Sequence, residues 1–139
     1  MQTPCHQPTA DPRSVIWRMI SELITPESNS NNPQPVSEGM LGVHPVALLS
    51  ADPLNVSELC GWNAVLVPKW ISSDPGYGTR HTVGLNIWAR DDYTVAQVGN
   101  HLLEYFHCAT CEGLGVHFMG PRIAQDGFYL AVFTLSWRS

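Results

Sequence analysis

From Arg80 to Arg90 the chain alternates between apolar and polar side chains. Val83, Leu85, Ile87 and Ala89 fall on one side, and Arg80, Thr82, Asn86, Trp88 and Arg90 on the other. A period of two marks a half-buried strand, because successive side chains leave a strand on opposite faces. Such a strand needs hydrogen-bonded neighbours and an apolar layer against its buried side. The segment therefore commits the chain to a sheet with at least one covered face.

The flanking segments supply neighbours and cover. Ala64–Ile71 reads as a second strand, with Pro68 marking an edge or a bulge. Ser72–Gly78 joins the two as a turn-rich hairpin connection, longer than a tight two-residue turn. Helical spacing of Val95, Val98, Leu102 and Phe106 predicts a helix over 92–108, capped by Asp91 or Asp92. Two more strands follow, one around Val116–Met119 and one over Phe128–Trp137, the latter preceded by an Asp126-Gly127 turn.

Upstream, Asp11-Pro12 begins a helix that runs to about residue 24, with Val15, Ile16, Met19, Ile20 and Leu23 on its apolar stripe. Residues 26–39 are polar and proline-punctuated and read as a flexible loop. Met40–Leu49 is an apolar segment broken by Gly42 and Pro45, consistent with a short strand, and 53–60 reads as a short helical turn. Residues 1–10 form an arm and 11–139 a single α+β domain. Its core is an antiparallel sheet of about four strands packed with two main helices.

Charge limits the function. The chain of 139 residues carries 7 Lys+Arg against 12 Asp+Glu, a net charge of −5. A dedicated nucleic-acid binder needs clustered cations, so that class is disfavoured. Only 14% of residues are charged, well below the usual ~25%, which leaves neutral surface suited to burial against a partner. The N-terminal residues lack the basic start and apolar core of a secretory signal, and no run reaches the ~20 apolar residues of a spanning helix. The expectation is a cytoplasmic origin, no membrane partner and four reduced cysteines.

Most catalytic patterns are missing from the sequence. There is no G-x-S-x-G elbow, no phosphate-binding glycine loop and no H-x-E with P-C-x-x-C. Asp91-Asp92 sits where a helix cap belongs, and Glu104 sits on a helix's solvent side. The one suggestive cluster is His107, Cys108 and Cys111, near a helix end, with His101 earlier on the same helix. Zinc needs about four ligands, and the remaining histidines and Cys60 are scattered singly. The plain reading is a helix end with two small apolar thiols packing under the sheet. A redox role is weaker, because the helix C-terminus has the wrong dipole sign for a low thiol pKa.

The second half of the chain, from Thr82-Val83-Gly84-Leu85-Asn86-Ile87-Trp88 to Phe128–Trp137, resembles the tail-terminator or tail-completion proteins of long-tailed bacteriophages. The likeness covers roughly 64–137, with the first helix suitably placed. It lies in the order of elements and apolar positions rather than in signature residues. It implies an N-terminal helix, a strand pair with a long hairpin, a polar turn, a helix and two C-terminal strands.

The resemblance also implies a structural virion protein without catalysis or cofactor. Copies would form a ring, commonly six-fold, that caps the tail tube and joins it to the neck, assembled in the host cytoplasm. A head-completion or stopper protein one layer away is the neighbouring alternative, and a small zinc-binding domain using His107, Cys108 and Cys111 is the alternative of another class. A negative net charge would suit a lumen through which DNA slides without specific binding. Trp88, Arg80 and Arg90 on one strand face, with Tyr77 in the adjoining turn, are the candidate interface residues; Trp88 is either a contact anchor or covered by a second helix.

Overall fold

The computed structural model describes residues 12–26, 36–49, 59, 63–108 and 114–138. The expected arm 1–10, residues 27–35 of the expected loop, most of the 53–60 turn and Cys111 lie outside them.

The described chain forms one mixed sheet with two helices on one side. Helix α1 (Pro12–Leu23) leads to strands β1 (Thr25–Pro26), β2 (Val36–Leu41) and β3 (His44–Leu49). Then come β4 (Ala64–Gly76), β5 (Gly78–Ala89), helix α2 (Asp92–His107), β6 (Gly115–Ile123) and β7 (Tyr129–Arg138). The seven strands lie in the order β1-β2-β3-β4-β5-β7-β6. Every neighbouring pair is antiparallel except β3 and β4.

The α+β class stands, and two sequence expectations are corrected. The sheet has seven strands rather than about four, and it is not wholly antiparallel. The extra strands come from the segments read as loop and single strand. Gly42, with φ 64°, closes a two-residue turn between Leu41 and His44, so the apolar run 40–49 divides into the end of β2 and all of β3. A positive φ is what tight hairpin turns require, and glycine adopts it without strain. Val36–Gly39 and Pro26, both inside the expected loop, are paired strand residues.

Both helices pack on the same face. Val15, Ile16, Met19 and Ile20 of α1 lie over β3, β4 and β5; Val95, Val98, Leu102 and Phe106 of α2 lie over β4 to β7. Beneath them are the alternate residues that the pattern assigned to the covered side, Val83, Leu85, Ile87 and Ala89 of β5 and Ala131, Phe133, Leu135 and Trp137 of β7. Phe133 is fully buried, stacked 4.5 Å from Phe118 and edge-on to Phe106 at 5.6 Å. Burying one such ring stabilises the fold by about 1.5–3 kcal/mol.

Local chemistry sets the element ends. Asp91 caps α2: one carboxylate oxygen accepts from the Thr94 N–H at 2.7 Å and the other from its hydroxyl at 2.9 Å. Gly99 lets α2 approach β6, since a Cβ there would lie 2.5 Å from the Phe118 ring. Asp126 (φ 58°) and Gly127 (φ 77°) form the left-handed pair of the β6–β7 turn, closed by the Phe128 N–H donating to the Gln125 carbonyl. Pro68 lies beyond Leu66, the last residue of β4 paired with β3, so its missing N–H costs no ladder bond on that side.

Candidate functional site

The other face of the sheet is divided. Near β3 and β4 it is covered by a small second core of Leu49, Leu59, Val65, Val67 and Phe128, with Trp88 and Ala124 against it. Leu59 comes from the crossover that parallel pairing of β3 and β4 requires. Beyond Trp88 the outward rows of β5, β7 and β6 are Asn86–Val132–Met119, Gly84–Thr134–His117 and Thr82–Ser136–Gly115. Of these, Met119 is 46% exposed, His117 and Gly115 are exposed, and Thr82, Val132, Thr134 and Ser136 are half-buried.

The β4–β5 hairpin runs on past Arg138, the last residue of β7 paired with β5. Pairing of the two strands continues through Asp74–Arg80 to Gly76–Gly78, with Tyr77 at the tip 99% exposed. Trp70 and Ile71 on its first arm are 46% and 50% exposed. Ile71 is an extra residue in a bulge: Trp70 pairs with Val83 and Ser72 with Thr82. Its side chain lies over Gly84, where an added Cβ would come within 3.2 Å.

The hairpin is held rather than loose. His81 is buried at its base, its ring 5.5 Å from Trp137, with Nδ1 2.8 Å from the Ser73 hydroxyl across the hairpin. At the tip, the Arg138 guanidinium on the neighbouring strand donates to the Tyr77 carbonyl at 2.9 Å. Residues far apart in sequence thus fix both ends of an arm whose apolar side chains face solvent. Pre-ordered contacts of this kind lose little entropy on binding.

The candidate residues fall unevenly on this geometry. Tyr77 and Arg80 are exposed on the hairpin. Arg90 instead lies at the opposite end of β5, its guanidinium 4.7 Å above the Phe128 ring. Trp88 is half-buried in the second core, and its indole N–H is buried with no partner among the described residues. Leu59 of the β3–β4 connection and Phe128 belong to the cluster it packs against. Trp70, Ile71 and Met119 were not among the candidates. Alternation says which side a residue takes, but not whether that side ends in solvent.

The candidate metal cluster is described in part. His107 and Cys108 are exposed at the end of α2, so Cys108 is a free thiol at the surface rather than packed under the sheet as expected, and Cys111 lies outside the described residues. Among the described residues no three His, Cys, Asp or Glu side chains are grouped to hold a metal ion. The Tyr105 phenol is pushed up by burial and, secondarily, by the Glu22 carboxylate. No described helix is long and apolar enough to cross a membrane. Compared with protein-family models, curated proteins and solved structures, the chain has no match.

Proposed function

We propose that this chain is a structural subunit of a long-tailed bacteriophage virion, a tail terminator without catalytic activity. Copies close into a ring, six in number, that caps the tail tube and joins it to the neck. DNA passes through the lumen without specific binding.

The observation that carries this reading is the stapled β4–β5 hairpin. It presents Trp70, Ile71 and Tyr77 to solvent while His81, Trp137 and Arg138 hold it in place. An arm that buries little within its own chain is suited to a contact outside it. The order of helix, long hairpin, capped helix and two C-terminal strands is the one the resemblance implies. The low charged fraction of 14% fits a subunit with large contact areas.

Native mass spectrometry over a concentration series, with and without tail tubes, tests the proposal. A metal-free ring near six times 15.4 kDa, or density at the tube end in micrographs, is the expected result. A monomer carrying one zinc ion, lost to chelator, overturns it in favour of the His107–Cys111 cluster. Density one layer closer to the head, with bare tube ends, makes the chain a stopper instead.

A further inference from the structure

Among the described residues the sheet ends in two outer strands, β1 and β6, and has a third unpaired margin where β4 runs on past β3. Such a margin presents a row of backbone N–H and C=O groups, whose complement is another extended chain. Two of the three margins are blunted. Strand β1 has only two residues and ends in Pro26. The β4 margin carries Pro68, Lys69, the bulge at Ile71 and Pro75. Prolines, lysines and bulges are the usual guards against pairing with another chain.

Strand β6 is guarded over half its length. Gly120 and Pro121 lie in an irregularity between Met119 and Arg122. The first half, Gly115-Val116-His117-Phe118-Met119, pairs residue by residue with Ser136 to Val132 of β7. It has no bulge, no proline and no Lys, Arg, Asp or Glu. Among the described residues no strand pairs with its other side. Val116 and Phe118 lie against the main core and are half-buried, while Gly115, His117 and Met119 are exposed on the opposite side.

We propose that two copies join through this half of β6, antiparallel and centred on His117, so that the sheet continues across a two-fold axis. The five residues complement themselves in that register. Val116 of each copy is opposite Phe118 of the other, a β-branched side chain against a ring, and Gly115 is opposite Met119. Each face thus matches a small side chain to a large one, and the half-buried margins of the two cores cover each other. Two neutral segments also meet without charge repulsion. A ladder of five residues is smaller than a standard interface, so the dimer is weak and forms as concentration rises. The contact does not rest on the ring reading: a two-fold contact closes at two copies, whereas a ring needs two different surfaces.

The test uses the full chain and two variants at the exposed central position, His117→Glu and His117→Lys. Sedimentation velocity of the parent chain over a concentration series should show monomer giving way to dimer. Hydrogen exchange of the amides of 115–119 should slow over the same range. Circular dichroism and thermal melting establish that both variants fold. Each alone sets two like charges opposite each other at the axis and should dimerise about fivefold or more weakly than the parent. Mixed in equal amounts, the two should recover dimerisation, because opposite charges then meet there.

A parent chain that stays monomeric at every concentration overturns the proposal. So does a dimer indifferent to both variants, or one lost in both and not recovered on mixing. If neither variant folds, the parent decides: amides of 115–119 that exchange no more slowly at high concentration overturn the pairing. A ring that forms alike in the parent and both variants, with no dimer, overturns this contact and leaves the terminator reading standing. A dimer recovered on mixing, with bare tube ends, does the reverse.

Discussion

The helix-covered face and the open face of β5 and β7 are built from the same strands, one residue out of phase. On the covered side Ile87, Leu85, Phe133 and Leu135 are fully buried under α1 and α2. On the open side the matching rows hold Gly84 and Asn86, both buried, and Val132 and Thr134, both half-buried. A strand buried on both faces reads as a continuous apolar run, as Ala64–Val67 of β4 does where the second core covers it. The difference teaches that stability and contact are divided by face. The covered rows hold the fold, and the open rows and hairpin are free to meet a partner.

Substitutions test that division, beginning with the largest effect. Phe133→Ala removes a fully buried ring from between Phe106 and Phe118 and should cost about 3–5 kcal/mol in urea unfolding. Gly99→Val pushes a branched side chain into Phe118 and should cost about 1–3 kcal/mol, read as a lowered melting temperature. Asp91→Ala removes the two bonds to Thr94 and should cost about 1 kcal/mol, with loss of hydrogen-exchange protection in the first turn of α2. Met119→Ser and Tyr77→Ala on the open side should change stability by no more than about 0.5 kcal/mol, yet weaken association in sedimentation. If these last two destabilise as much as Gly99→Val, the division between the faces fails.

Trp88 sharpens the same contrast. Its ring packs against the second core, so Trp88→Ala should lower monomer stability rather than act on assembly alone. Its indole N–H has no partner among the described residues, so Trp88→Phe should cost less than Trp88→Ala.

What was legible in the sequence follows from how local its cause is. The Asp91 cap, the Asp126-Gly127 turn and the apolar stripes of both helices depend on a few adjacent residues, and the structure bears them out. The alternation in β5 assigned its buried rows correctly for the same reason. Strand pairing is decided at a distance, so β1 and β2 were read as loop, and nothing local distinguishes a parallel from an antiparallel neighbour for β4. The exposed arm was only half visible. Its length is implied by Ser72–Gly78, but the bulge at Ile71 and the anchoring by Arg138 come from partners across the sheet.

The parallel pair of β3 and β4 sets where the molecule gives way. Val46, Ala47 and Leu48 meet Ala64, Val65 and Leu66, and no longer ladder joins β1, β2 and β3 to the other four strands. The β4–β5 ladder, by contrast, runs from Ala64–Ala89 to Gly76–Gly78. Opening should therefore begin at the short seam, releasing the three N-terminal strands while β4 to β7 and α2 stay closed as one cooperative unit. Such a hinge lets the N-terminal part adjust to a neighbour without disturbing the face that carries the hairpin.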